Sequence, residues 1–278
     1  MHTLILLYFI CLFGMKIRFR KKYIFLLLFF LAVLYLFWGP LFPWSPVKIG
    51  FTKIECSYAA VYIEDYDGDS IVYSMDEIIR EEESFHGLKF KEKFKVIILG
   101  KDSNMKRYLP WMGGTGYSVK LGSVNVIYIG PNGRNSPYGI GAYIKHEMSH
   151  LLIHQNTPAG DMEIRDQAWL AEGIATYYGG PHYFEKKEFV MMWKENGFAF
   201  DSLYEENPLE MDKSIIRLKY TYYRFFVEFL VNTFGLEKFQ AYLHSYINDP
   251  ENYKSIFSEI YGIDLPGILR QFGVYMLQ

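Results

Sequence analysis

The chain has 278 residues, half of them hydrophobic and 22 % charged, with a mean hydropathy near zero and a formal net charge of −2. That suffices for one globular domain with a full core, and carries too many charges for a polytopic membrane protein. Residues 1–46 hold five basic side chains and no Asp or Glu, leaving 24 basic against 31 acidic residues downstream, a net charge of −7. A domain so acidic is a poor electrostatic match for nucleic acid.

The five cations fall in Lys16–Lys22, directly before the uncharged run Tyr23–Gly39. Seventeen apolar residues sit at the short end for a spanning helix, with Pro40 and Trp44 marking its far boundary. Basic residues on the near side keep residues 1–22 in the cytoplasm and place the C-terminal bulk outside, as a single-pass cell-membrane protein. A cleavable signal peptide is the rival reading, but no small-x-small site follows the run, which favours an uncleaved anchor. The earlier apolar stretch Thr3–Gly14 is too short to span, and Met15 before the basic run is an alternative start. The two cysteines, Cys11 and Cys56, exclude a disulfide framework and a thiolate zinc site.

Residues 40–50 read as a linker, and the extracytoplasmic domain as 51–278. Tyr58–Asp65 alternates weakly and predicts a strand. Glu64–Ser70 clusters acids, but an EF-hand loop needs Gly at its sixth position and Gly68 is the fourth, so an acidic solvated turn is expected. Ser74 as N-cap, acids in the first turn and Gly87 at the end predict a helix between them. Phe94–Gly100 is an apolar run bounded by Gly, hence a buried strand. Two short strands are expected around Gly122, the second at Val124–Ile129. From there the pattern is helical, near 138–154, 165–179, 182–195, 214–234, 236–247, 252–261 and 264–275. Strands first and helices afterwards predict an α+β fold, a small mixed sheet packed beside a mainly helical C-terminal half.

The segment that carries chemistry is Ala142–Gln155, AYIKHEMSHLLIHQ. His146, Glu147 and His150 spell H-E-x-x-H. On a helix, residues i and i+4 differ by about 40° in azimuth and roughly 6 Å along the axis, so two imidazoles can converge on one ion. Glu147, one residue round, can reach a water at that ion without ligating it. His154 lies about 12 Å along the axis from His146 and cannot share the ion. The metzincin extension fails, because Ile153 and Asn156 occupy its Gly and His positions. A third ligand must come from elsewhere. Glu172 stands in the apolar helical run Asp166–Gly180, with twenty-one residues between it and His150. It is either a surface Glu on a half-buried helix or a carboxylate whose burial a metal compensates.

The segments KHEMSHLLIH and WLAEGIATYYGG together resemble the gluzincin metallopeptidases, especially the peptidase MA-like branch, and Tyr220–Gly235 resembles a downstream helix of that branch. The resemblance covers about a third of the chain. It implies a zincin-like fold, one zinc ion held by His146, His150 and Glu172, Glu147 as general base, and a peptide or protein substrate. It also implies that the strand before the zinc helix, Ser123–Gly130, edges the cleft and pairs with extended substrate. Such enzymes commonly set a Tyr or His beside the zinc. Among Tyr220, Tyr222 and Tyr223, helical phase turns Tyr223 into the core and puts the other two on the flanks of a polar stripe formed by Thr221, Arg224, Glu228 and Asn232. Tyr220, at the position where the pattern has its Tyr, is the expected oxyanion donor. Two other functions fit the same residues. One is a non-catalytic binding or scaffold domain braced by zinc, which would have no need of Glu147. The other is a zinc amidase acting on cell-wall peptides, which cleavage of cell-wall fragments rather than unstructured protein would reveal.

Overall fold

A computed structural model describes residues 21–66, 74–100, 103–110, 114–121, 124–158, 168–200 and 213–278. Most of the acidic stretch 64–70, the residues around Met15 and Cys11, and the turn at Gly122 lie outside the described residues.

The apolar run forms α1 (Lys21–Trp38), with every side chain along Lys21–Leu31 exposed and none of the helix buried. By length and composition it can cross a membrane. A single sheet follows, of β1 (Phe51–Glu55), β2 (Ala59–Glu64), β3 (Phe94–Ile98), β4 (Gly116–Leu121) and β5 (Val124–Ile129) in the order β1-β2-β3-β5-β4. The two outer pairs, β1/β2 and β4/β5, are antiparallel, and β2/β3 and β3/β5 are parallel, so the sheet is mixed. Parallel neighbours need a crossover. Between β2 and β3 the chain passes through α2 (Met75–His86), which ends on Gly87 in the left-handed conformation, φ 66°. Ser74 does occupy the N-cap position, but its side chain makes no capping bond.

The helical half comprises α3 (Ile140–Asn156), α4 (Ala168–Ile174, continued to Gly179 as a wider π-helical turn), α5 (Lys186–Glu195), α6 (Lys213–Phe234), α7 (Leu236–Asn248), α8 (Tyr253–Tyr261) and α9 (Leu265–Leu277). The fold is the α+β arrangement that the pattern predicts. Residues 165–167 of the second expected helix lie outside the described residues. The helix expected from 182 begins at Lys186 instead, because Gly180-Pro181 bars helical continuation and Glu185 is still extended.

The alternation of β2 and β3 divides the interior in two. Ala59, Val61, Ile63, Phe94, Val96 and Ile98 face the helices and join the main core. Ile97 and Leu99 point the other way, into a smaller cluster with Val126, Tyr128, Met105, Tyr108 and Leu109. Phe42 is wholly buried in that second cluster, against Phe51 and Tyr108. The segment after α1 is therefore packed onto the sheet, where a linker was expected. Burying the Phe42 side chain fully is worth roughly 2–3 kcal/mol. β1 was also not anticipated: its alternation is masked by Lys53 and Glu55 on an edge strand.

Candidate metal centre

Two elements meet at the centre because two glycines let them. A Cβ on Gly173 of α4 would stand 2.8 Å from the Tyr223 carbonyl oxygen of α6. A Cβ on Gly179 would run into the backbone nitrogen of His146 on α3. The Glu172 helix is thus wedged between α6 and α3, with Trp169 at its core edge 5.1 Å from Phe226.

The result is a compact triad. His146 Nε2 and His150 Nε2 are 3.2 Å apart, and Glu172 Oε2 lies 3.4 Å from the first and 3.5 Å from the second. Tetrahedral zinc with ligands at 2.0–2.1 Å would separate any two of them by about 3.3 Å. The three atoms therefore outline one face of such a tetrahedron. Glu172 Oε2 is buried without a hydrogen-bond partner, a cost that an ion would remove. Among the described residues this is the one group of three His, Cys, Asp or Glu arranged to hold a metal.

The surroundings prepare the triad. The Nδ1–H of His146 donates to the Gly180 carbonyl at 2.8 Å, which leaves Nε2 free to ligate. Burial would lower His150, yet the Glu172 carboxylate holds it up at about 9. Burial would likewise raise Glu172, but His150 and His146 keep it ionised, well below the usual carboxylate range. Behind the triad, the Ser149 hydroxyl of α3 donates to Glu82 Oε2 of α2 at 3.1 Å. Glu82 and His86 are both fully buried there, with the His86 Nδ1–H on the Glu82 carbonyl at 2.8 Å.

Glu147 is 8 % exposed and lies under β4. A Cβ on Gly116 would come within 2.7 Å of its Oε1. Burial raises its pKa, His146 and His150 pull it down, Glu172 raises it, and the Ser118 hydroxyl lowers it. Gly116 and Ser118 thus frame the carboxylate, a contact that no local motif announced.

Tyr220 faces the triad. Its ring centroid is 6.4 Å from that of His146, with the planes 24° apart. Burial and the hydrogen bond and charge of Glu172 raise its phenol well above its ordinary value. Tyr222 does not flank a cleft: it is fully buried, stacked on Trp193 at 4.7 Å, with its hydroxyl donating to the Phe200 carbonyl at 3.1 Å. Packing of α5 against α6 covers that flank, which helical phase alone treats as open. Thr221 is also buried and donates to the Arg217 carbonyl at 2.8 Å, while Arg224 and Glu228 form a half-buried pair at 3.8 Å. Tyr223 is in the core as expected, and His154 sits exposed in the last turn of α3, apart from the triad.

The strand assignment at the cleft needs correction. Val124–Ile129 is interior to the sheet, hydrogen-bonded on both sides by β3 and β4. The edge is β4, Gly116–Leu121, one hairpin arm earlier. The β4–β5 hairpin puts the earlier arm outside because β3 pairs with β5.

A family model described as the peptidase MA superfamily matches residues 74–278. No curated protein sequence matches the chain. Solved structures with similar backbones include an M1 zinc metallopeptidase mutant from Deinococcus radiodurans bound to a Tyr-Ser-Ala substrate, at 12 % identity and a TM-score of 0.45, covering 80 % of this chain and 50 % of that one. Native leukotriene A4 hydrolase from Saccharomyces cerevisiae matches at 13 % identity and a TM-score of 0.44, covering 77 % of this chain and 36 % of that one. The chain thus spans half or less of the length of these structures. The family match runs unbroken from the start of α2 through the triad helices to the C-terminus, and the chain belongs to the peptidase MA superfamily.

Proposed function

We propose that this chain is a membrane-anchored, extracytoplasmic zinc peptidase. In this reading residues 1–22 are a cytoplasmic leader, 23–39 a signal-anchor and 51–278 the peptidase domain. His146, His150 and Glu172 hold the zinc, Glu147 is the general base and Tyr220 the oxyanion donor. The observation that carries the reading is the three-atom face of His146, His150 and Glu172 with a buried Glu147 beside it. A structural brace has no use for that fourth group.

Zinc bound there would supply Lewis acidity toward water and toward the scissile carbonyl. The chain's own residues do the rest. Glu147 accepts a proton from the attacking water and hands it to the leaving amine, so the peptide C–N bond breaks as a C–O bond forms. Gly116 and Ser118 hold its carboxylate in place. The Tyr220 phenol, hydrogen-bonded to Glu172 beside the triad, would donate to the oxygen that gains charge. The free edge of β4 would pair with an extended peptide through backbone hydrogen bonds, which gives affinity with little sequence preference.

The test is zinc analysis of the purified full chain together with cleavage of an unstructured protein. Wild type should carry one zinc and cleave. Glu147→Gln should keep the zinc and lose about 10²–10⁴-fold in turnover. Full activity in that variant removes the general-base role, and cleavage of cell-wall peptides in place of the unstructured protein favours the amidase reading.

A further inference from the structure

The sheet face turned away from the helices is only partly covered by Phe42 and its neighbours. The rest is an open groove of about 360 Å³, lined by Lys53, Lys93 and Lys95 with Tyr62 and Val124. Glu55 is its one acidic lining residue among those described, and it is already paired with Lys53. A fourth ammonium lies next to the groove. Lys48 is buried and donates to the carbonyls of Phe42 (2.8 Å) and Ser45 (3.2 Å). Burial pushes it down to about 8, with Lys95 and Lys53 adding to the effect. Lys95 is itself lowered by burial and by Lys53. Like charges crowd here in a domain that is otherwise acidic, and like charges at short range repel.

The position of the crowd gives it a meaning. The chain doubles back at the end of α1: Leu41 N–H donates to the Tyr35 carbonyl at 3.1 Å, and Phe42 N–H to Gly39 at 2.9 Å. Two residues beyond Leu41, the Pro43 carbonyl accepts from Lys95 Nζ at 2.6 Å. Lys95 is therefore tied to the exit of the apolar helix. Leu41, Trp44, Val47 and Ile49 are all exposed along the same segment, and Trp at such a place favours the level of lipid headgroups.

We propose that the Lys53–Lys93–Lys95 groove binds the phosphate of an anionic phospholipid in the leaflet where α1 emerges, and so seats the peptidase domain on the bilayer. The inference rests on the anchor reading above. Each lysine near an anionic surface strengthens attraction about fivefold; with Lys53 paired to Glu55, the two uncompensated charges of Lys93 and Lys95 are together worth roughly 25-fold.

The full chain is placed in nanodiscs of phosphatidylcholine with a minor fraction of phosphatidylglycerol, extracted mildly, and the lipid that stays bound is counted by mass spectrometry. Wild type should retain phosphatidylglycerol at least fivefold above its bulk proportion. Lys53→Gln/Lys93→Gln, which leaves the Lys95–Pro43 bond intact, should cut that enrichment severalfold, and adding Lys95→Gln should abolish it. The charge-matched control Lys187→Gln/Lys238→Gln, on the exposed helical half, should keep it. Bulk proportions in wild type, or wild-type enrichment in the groove variants, overturn the proposal. So does equal displacement by millimolar glycerol phosphate, which would make the groove a site for soluble phosphate. Release of the chain from membranes by alkaline carbonate would remove the anchor reading and the inference with it, whereas retention without enrichment removes the inference alone.

Discussion

Gly116→Ala probes Glu147, the proposed general base, without touching a proposed ligand. The added methyl would stand 2.7 Å from Glu147 Oε1 and 3.0 Å from its Cγ, with no other residue among its three nearest atoms. Ordinary van der Waals contact needs about 3.5 Å, so the carboxylate must retreat by roughly 0.5–1 Å. At 8 % exposure it has little free space, and the retreat carries it away from the position the water requires. A misplacement of about 1 Å costs on the order of 10²-fold in rate, or about 3 kcal/mol of barrier. The expected result is a 30–100-fold loss of turnover against a quenched fluorescent protein substrate, with zinc content unchanged and KM nearly so. In a Glu147→Gln background the same substitution should cost almost nothing more, since the group it displaces is no longer a base. Wild-type turnover in Gly116→Ala, or a full additional loss on top of Glu147→Gln, would show that β4 does not position this carboxylate for catalysis.

Four further outcomes follow from the same geometry. His150→Ala should lose the zinc, and stoichiometric zinc by elemental analysis in that variant would refute the ligand set. Tyr220→Phe should lower turnover about 10²–10³-fold with zinc content and Tm nearly unchanged, whereas Tyr222→Phe, which removes the bond to the Phe200 carbonyl, should lower stability by about 1 kcal/mol, seen as a lower Tm, and spare turnover; the reverse pattern refutes the assignment. His86 is held down to about 4 by burial, so it is neutral in the fold and charges more readily when unfolded: its contribution is complete above about pH 6.5 and is lost as pH falls toward 4, by up to roughly 3 kcal/mol. Buried Glu82, raised well above its ordinary value, acts in the opposite sense as pH rises past 4.5, so His86→Leu should flatten only the acid limb of denaturant-midpoint curves. A C-terminal alkaline-phosphatase fusion should be active in bacteria, and an active cytoplasmic reporter with a dead phosphatase would reverse the topology.

Much of the centre was legible because helices write their chemistry locally. His146, Glu147 and His150 share one helix, and 3.6 residues per turn fixes their convergence before any tertiary contact forms. The order of strands then helices similarly sufficed for the α+β class, and the basic run before an apolar stretch for the candidate anchor. Glu172 was visible only as a costly carboxylate with a resemblance to explain it. That its Oε2 meets both imidazoles depends on Gly173 and Gly179 letting two helix pairs approach closely, which is a property of packing. Sheet order was out of reach for a related reason. Hydrogen-bond pairing between strands is non-local, so alternation marks β4 and β5 as strands but cannot say which arm is left at the edge. Helical phase turned Tyr223 inward correctly and failed for Tyr222, because phase knows one helix and burial depends on the neighbour that α5 supplies. The docking of Phe42 beneath the sheet, and with it the gathering of Lys48, Lys53, Lys93 and Lys95 at the exit of α1, was decided by tertiary structure alone: these residues come from three segments, the stretch after α1, β1 and the start of β3, that only the folded sheet brings together.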